Sequence, residues 1–501
     1  MATATAAQPA LPLEPSSYLA LPEQCYARLA PTPVAAPSLL RLNQPLAAGL
    51  GLDAEALSAP EGVALLAGNA LPPRSQPIAL AYAGHQFGNW VPSLGDGRAI
   101  LLGELRGLDG RSRDIQLKGS GPTPFSRMGD GRAALGPVIR EYVVSEATHA
   151  LGIPTTRALA VVTTGETVLR QWGPEPGAVL TRVAASHLRV GTFEYFYRRG
   201  DGDALQALAD YAIRRHYPDL TEAPAPYAAL LERVVERTAA LIAAWMGVGF
   251  IHGVMNTDNT TLSGETLDYG PCAFMDDFHP DRVFSSVDIG GRYAYNQQPR
   301  IGHWNLAQFA ECLLPLLAGD EEAAVERANA ALDRYPAAFE QAYHRMLRAK
   351  LGLETERDGD VDLAHALLGE MARAGADFTL TFRRLSALGA RPGDGDAALR
   401  APFEDPSGLD AWLERYRERL AVEYRPEQER RRAMRASNPA VVPRNHHVEQ
   451  VIRAAQEERD LAPLDSLLAA VTHPFEDTPD TPRWAEPPAP GEAVNVTFCG
   501  T

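Results

Sequence analysis

Between residues 98 and 184 this chain reads as strands, and beyond residue 200 it reads almost entirely as helices. RAILLGEL and RDIQLK are apolar runs joined by the turn-like RGLDGR, a pattern that predicts a hairpin. ALAVVTTGETVLR and GAVLTRVA predict further short strands. Between the two pairs lie a glycine-rich stretch, GSGPTPFSRMGDGR, and a helical run over residues 133–151. In that run Leu135, Val138, Ile139, Tyr142 and Val143 recur at helical spacing, and Pro137 falls in the first turns, where proline is tolerated. DALQALADYAIRRH and YAALLERVVERTAALIAAWMGV predict helices, and helical patterns dominate again from His303, with glycine-rich charged breaks near 354–360 and 391–396. Strands followed by helices, not alternating with them, exclude a doubly wound sheet and predict an α+β chain of two lobes. Residues 1–80, rich in Ala, Pro and Leu, read as an ordered but irregular extension with short helical pieces packed on the core. Residues 81–350 form that core, and 351–501 form a helical C-terminal region whose Pro-rich tail, after Asp477, reads as extended.

Charge and cysteine content narrow the partners. A formal net charge of −16 speaks against a general nucleic-acid binder, which needs clustered Lys and Arg to neutralise phosphates, but leaves room for a local basic pocket. Only Lys118 and Lys350 are lysines among the 47 basic residues. A coding bias toward arginine accounts for most of that imbalance, yet a lysine retained in such a chain offers the compact point charge that some phosphate sites require. Four cysteines (Cys25, Cys272, Cys312, Cys499) make no disulfide framework in a chain this long, so a reducing compartment is expected. No basic segment followed by an apolar run opens the sequence, and no stretch approaches the roughly 20 apolar residues of a membrane span. A soluble cytoplasmic protein without membrane partners is the expectation.

The chemistry-bearing residues come in one order. Lys118 ends a predicted strand, and Glu141 follows on the predicted helix. In protein kinases a strand lysine holds ATP phosphates and is fixed by a helix glutamate. Next comes HGVMNTDN, residues 252–259, where kinases carry H-R-D-L-x-x-x-N; His252 and Asn259 stand at the matching spacing. Asp268-Tyr269-Gly270 then resembles the kinase D-F-G, after TTLSGET, which reads as a short hairpin. An asparagine amide oxygen and a carboxylate are hard ligands suited to Mg²⁺ held partly through phosphate oxygens. Where kinases place their catalytic aspartate this chain has Val254, which cannot take a proton. Two explanations stand: the site only binds nucleotide, or the reacting phosphorus lies elsewhere and another group takes the proton. Asp258 is a carboxylate suited to that work or, alternatively, to capping backbone amides.

GDGR occurs at residues 95–98 and 129–132, before and after the Lys118 strand, where glycine turns let backbone amides approach phosphates. The GDG strings at 200–202 and 393–395 are assigned to surface loops. Arg182 and Arg189 are open to two readings, as phosphate ligands or as surface or structural arginines. His446-His447 lacks the further ligand spacing of a zinc site and reads as structural.

Together these residues resemble the selenoprotein O family, also called YdiU. The likeness runs from SYLALPEQCYARLAPTPV to the C-terminus. It is most specific in AYAGHQFGNWVPSLGDGRAILLGE, DIQLKGSGPTPFSRMGDGRAALGPVIREYVVSEATHALGIPTTRAL, HGVMNTDN with LDYGPCAFMDDF, and NPAVVPRNHHVE. The resemblance implies a protein-kinase-like two-lobed fold that binds ATP in a flipped orientation. AMP would pass to Ser, Thr or Tyr hydroxyls of protein substrates with release of pyrophosphate, and UMP transfer from UTP is a second associated activity. It also implies that Lys118, supported by Glu141, binds phosphate, with Gly95, Gly97, Arg98, Asp130, Gly131, Arg182 and Arg189 lining the nucleotide site. Asp258 would be the proton acceptor, and Asn259 and Asp268 would hold Mg²⁺ or Mn²⁺. A kinase acting on protein or small molecules and a non-catalytic ATP-binding scaffold are the competing readings. Some family members carry selenocysteine near the C-terminus where this chain has Cys499, and a Cys272–Cys499 disulfide is one expectation for redox control.

Overall fold

The computed structural model describes residues 10–171, 173–393, 395–403 and 405–498. Its main sheet draws on strands β1 (Tyr26–Arg28), β2 (Ser38–Leu42) and β3 (Ile78–Leu80); β4 (Gly84–Gln86) and β5 (Asn89–Val91) make a separate small hairpin. Strands β6 (Ala99–Arg106), β7 (Ser112–Lys118), β8 (Ala133–Ala134), β9 (Arg157–Arg170) and β10 (Gly173–Ala184) complete the sheet. The order is β1-β3-β6-β7-β10-β9-β2, antiparallel throughout, with β8 paired to β10. The expected hairpin is β6–β7, with Ala99 opposite Lys118 and Arg106 opposite Ser112. The first 80 residues do more than wrap the core: β1 and β2 form the two edges of the sheet. Three and five residues long, they are too short to show alternation in sequence, and an edge strand needs only one hydrogen-bonded neighbour.

Alternation along β7 sorts its side chains. Ile115 and Leu117 enter an apolar cluster with residues of α1 (Gln44–Gly49), α2 (Ala54–Ser58) and α3 (Pro60–Ala67), including Leu46, Leu57 and Leu66. Gln116 and Lys118 therefore face the other side, where Arg182 lies opposite Gln116 on β10. Helix α4 (Leu135–Ala150) lies beside β9 and β10. It is buried on nearly every side, because Val448, Val451, Leu464 and Leu467 of helices Asn445–Arg453 and Ala462–Val471 join its core cluster. A helix so enclosed lacks the polar stripe of a surface helix.

The second half packs α5 (Val190–Tyr197), α6 (Gly202–His216), α7 (Pro226–Gly247) and α8 (Gln298–Leu317) around Phe193, Leu230, Val234, Phe309 and Leu313. The strand-then-helix order read from the sequence thus appears as a sheet-containing first part and a helical second part. The tail departs from a simple extended run: Thr481–Ala485 forms a short helix that buries Trp484, and Thr497 bridges to Ser285. No helix among the described residues is long and apolar enough to cross a membrane.

Lys350, the second lysine, is buried with its ammonium 4.2 Å from the Phe382 ring centroid and 5.2 Å from that of Phe378. Burial pulls it down to about 7. The unfolded chain therefore binds more protons than the folded one between about 7 and the ordinary lysine value. The folding free energy tied to this group rises with pH across that window and is lost as pH falls through it. Lys350→Met is expected to raise stability at neutral pH by on the order of 2 kcal/mol. Urea unfolding at pH 7 and pH 9 checks this, and the gain should shrink at the higher pH.

Candidate active site

Four charged side chains meet at the end of β7. Lys118 Nζ lies 2.6 Å from Glu141 Oε2 and also contacts Asp268 Oδ1. Arg182 donates through Nε to Glu141 Oε1 at 2.8 Å and through Nη2 to Asp268 Oδ1 at 3.2 Å, and through Nη1 to Gln116 at 3.3 Å. The register explains the meeting: Lys118 and Arg182 project from one face of neighbouring strands, and Glu141 reaches them from α4. Burial alone would raise the Glu141 carboxyl, but Arg182 and Lys118 hold it below its ordinary value. Asp268 follows the same balance, burial opposed by Lys118 and Arg182, and ends far below the usual carboxylate range. Both carboxylates are ionised, so two cations face two anions. Asp268 also sits at φ 67°, a left-handed conformation uncommon outside glycine.

Asp258 lies in a 3-10 turn, Thr257–Asn259, that follows the short strand β11 (Phe250–Ile251), itself paired with β12 (Ala273–Phe274). Its side chain is buried, Oδ1 has no hydrogen-bond partner, and Oδ2 receives only a long contact from Gln86 Nε2 at 3.4 Å. Burial raises this carboxyl to about 6 despite the opposing charge of Arg189. Of the backbone amides only its own N–H acts on this carboxyl, and no neighbouring amide among the described residues donates to it, which leaves little for the capping role that the sequence also allowed. The β4–β5 hairpin forms the roof. A Cβ on Gly84 would stand 2.6 Å from Asp258 Oδ1, so glycine is what allows this approach. Glu194 of α5 pins the roof, contacting His85 Nδ1 at 2.5 Å and accepting from the Thr257 hydroxyl, while His85 N donates to that hydroxyl at 2.7 Å.

Arg182 and Arg189 are both buried, which removes the surface reading of either. Arg189 stacks over Tyr82 with 4.1 Å between guanidinium carbon and ring centroid, donates to the Asp258 carbonyl at 3.0 Å, and lies 3.8 Å from Asp96 Oδ1. It thereby links the Asp258 turn to the first GDGR loop. In that loop Asp96 points inward, accepting from Leu80 N and Gln116 Nε2. Gly95 adopts φ 68°, and the Gly97 carbonyl accepts from Ser126 of the glycine-rich loop. Arg98 is within electrostatic reach of both Asp268 and Asp130. Asp130 and Gly131 make no direct contact with the four-charge cluster: Asp130 pairs with Arg170 at 2.8 Å, and Gly131, at φ 67°, packs so closely on Gly121 that any Cβ would clash.

His252 joins the Asn259 and Asp268 segments. Its Nε2 lies 3.2 Å from the Leu267 carbonyl and its Nδ1 accepts from Val254 N at 3.4 Å, so the proton belongs on Nε2. Asn259 donates Nδ2 to the Val254 carbonyl at 3.0 Å, which leaves its amide oxygen for another partner. Asp268 engages Lys118 and Arg182 through Oδ1 only, leaving Oδ2. Two hard oxygens without a third protein carboxylate fit Mg²⁺ or Mn²⁺ that completes its shell with phosphate and water. They do not make an all-protein metal cage, and none occurs among the described residues.

Gln86, Glu194, Tyr82 and Asp96 were not singled out by sequence reasoning. AYAGHQFGNW stood out as a string, but nothing local says that it folds over residues 257–259. In the PRNHHVE segment the polar ties belong to the neighbours of the two histidines: Arg444 pairs with Asp276 and Asp377, and Asn445 accepts from Arg140, which also holds the Gly270 and Cys272 carbonyls, while His447 sets its ring against Trp484. Cys272 is buried and free, and burial pushes its thiol up to about 11. Thr497 donates to the Pro271 carbonyl at 2.6 Å; Cys499 lies outside the described residues.

Comparison with known proteins places these features in a lineage. Residues 11–472 match the family model described as protein adenylyltransferase SelO. The chain is 60% identical over 487 residues to the protein nucleotidyltransferase YdiU of Bradyrhizobium sp. (strain ORS 278), covering 97% of this chain and 98% of that one. It is 59% identical to the namesake in Methylorubrum populi, at 97% and 98% coverage, and 58% identical to that of Alkalilimnicola ehrlichii, at 98% and 100%.

Proposed function

Since the chain belongs to the SelO family of adenylyltransferases and is a nucleotidyltransferase, we propose that it moves AMP from ATP onto Ser, Thr or Tyr hydroxyls of proteins and releases pyrophosphate. UMP transfer from UTP is a second activity of the same site. The observation that carries this reading is the pairing of Val254, apolar and buried, with Asp258, a buried carboxylate with one unpartnered oxygen. Proton acceptance has moved four residues along the chain from its place in kinases, as it would if the reacting phosphorus had moved too.

In this proposal the fold is protein-kinase-like, with residues 81–350 as its nucleotide-binding core. Lys118, oriented by Glu141, and Arg182 and Arg189 neutralise the phosphate chain. Gly95, Gly97, Arg98, Asp130 and Gly131 line the nucleotide through loops tied together by Ser126 and Thr123. Asn259 and Asp268 hold Mg²⁺ or Mn²⁺, which when bound offsets charge on the phosphate oxygens. Asp258 takes the proton from the substrate hydroxyl as its oxygen attacks the α-phosphorus. The bacterial cytoplasm, where ATP and protein hydroxyls are both available, is the proposed location.

The test uses ATP labelled separately at the α- and γ-phosphates, with Mg²⁺ or Mn²⁺, on wild type, Lys118→Ala and Asp268→Ala. Label from the α-phosphate alone, lost in both variants, is the expected result. Transfer of γ-label would make the protein a kinase, and binding without either label would make it a scaffold.

A further inference from the structure

A cleft of about 890 Å³ opens between the β6–β7 turn, the end of α6 and the middle of α7. It lies at the opposite end of β7 from Lys118. Arg113, which lines it, is five residues away along the strand, or about 17 Å at strand rise. Its volume is within the range of small-molecule sites.

Six arginines line it: Arg106, Arg111, Arg113, Arg214, Arg215 and Arg237. Two are paired, Arg113 with Asp109 and Arg215 with Glu104 and Asp114. The other four have no carboxylate partner among the described residues, in a chain whose Asp and Glu outnumber its Lys and Arg by 63 to 47. Arginines scattered on an acidic surface find carboxylates easily; four that converge on one concavity without any are a different arrangement. Arg237 is also held in place, over the Tyr217 ring at 4.3 Å and donating to the Ser263 carbonyl at 3.1 Å. Arg106 is held by the Gly110 carbonyl at 2.8 Å.

The acidic groups of the lining do not cancel this charge. Glu104 is taken up by Arg215 and the Ser17 hydroxyl. Burial, with Asp114 nearby, pushes Glu265 up to about 7 even though Ala185 N and the Ser263 hydroxyl donate to it. His216, on the same wall, is pulled down to about 3 by burial and by Arg215 and Arg237.

We propose that this cleft is a second anion site, which takes a compact polyphosphate, free or as the phosphate chain of a nucleotide. Planar guanidinium forks engage phosphate oxygens in pairs. The ligand would be gripped from two sides, by Arg106 and Arg111 of the hairpin turn and by Arg214 and Arg237 of the helices. It would thus join the sheet to the helical half behind the residue 185–189 linker, without occupying the Lys118 site.

Inorganic triphosphate titrated calorimetrically, in EDTA and low salt, into full-length Lys118→Met protein separates the two sites. One-to-one binding is expected, weakened at least about tenfold in the same protein carrying Arg111→Ser and Arg214→Ser, since each lost guanidinium removes charge-assisted bonds. Both arginines are exposed, so Tm without ligand should stay unchanged, and triphosphate should raise it only when they are present. ATP run in parallel names the source: tighter than triphosphate for a nucleotide, equal for the phosphate chain alone. Equal affinity with and without the two arginines, or binding that disappears with Lys118→Met, overturns the proposal. Neither result bears on α-label transfer, so this site and the proposed activity fail separately.

Discussion

Asp258→Asn is expected to slow nucleotidyl transfer at least about a hundredfold, within the 10²–10⁴ range of a lost general base, while ATP still binds with affinity close to wild type. The substitution keeps the size of a side chain roofed by Gly84 and leaves the backbone carbonyl that Arg189 uses. It removes only the capacity to take a proton. The wild-type pH profile should agree. Burial raises Asp258 to about 6, and the active form is the carboxylate, so log kcat/KM should rise with pH up to about 6 and level off above it. In Asp258→Asn the limb near 6 should vanish. Steady-state rates across pH 5 to about 8, with fluorescent-nucleotide titration for binding, decide the matter. Near wild-type activity in the variant would return Asp258 to a structural role and leave the base unassigned.

The largest stability effect belongs to Arg444. Its side chain is 1% exposed and holds Asp276 Oδ1 at 2.5 Å and both oxygens of Asp377 at 2.7 and 3.1 Å, with Nε donating to the Ala485 carbonyl. Arg444→Met leaves two neighbouring carboxylates without their cation and should cost about 3–5 kcal/mol. Arg444→Lys should recover little, because one ammonium cannot reproduce the planar fork that reaches three partners. Burial already pulls Asp276 upward against Arg444, so without the arginine its folded value rises further above the unfolded one. Such a group binds protons more tightly when folded, and stability then increases as pH falls through that window. The destabilisation should therefore be smaller at pH 5 than at pH 8. Urea midpoints at the two pH values measure this, and a pH-independent loss below about 1 kcal/mol, the size of an exposed pair, would show that the ion cluster is not the support assigned here.

Both residues bear on the same region by different routes. Asp258 lies within the candidate site, whereas Arg444 holds Asp276, eight residues after Asp268, against the C-terminal helices. Arg140 adds a second tie, from α4 to the Gly270 and Cys272 carbonyls and to Asn445. Helix α4 thus presents Glu141 to the charged cluster and, one residue earlier, Arg140 to the segment that follows it. A shift of α4 would disturb Lys118 and the Asp268 segment together.

What the sequence determined by itself was local and periodic. The alternation of RDIQLK set β7 and placed Lys118 at its end, helical spacing set α4 with Glu141 on it, and the spacing within HGVMNTDN and on to DYG marked Asn259, Asp258 and Asp268. These signals reside in a few consecutive residues, where backbone geometry dictates which side chains share a face. Tertiary structure alone decided the rest. It brought Arg182 onto Glu141 from 41 residues away, folded the Gly84–Gln86 strand over Asp258 from 172 away, used two strands from the first 42 residues as sheet edges, and covered the outer face of α4 with helices from residues 445–471. None of these has a local period, because each contact is chosen by which buried charges and apolar faces remain unmatched once the local elements exist. An arginine that reads as surface or phosphate ligand in the sequence becomes a buried partner only when a strand and a helix converge on it. That convergence is a property of the packed core.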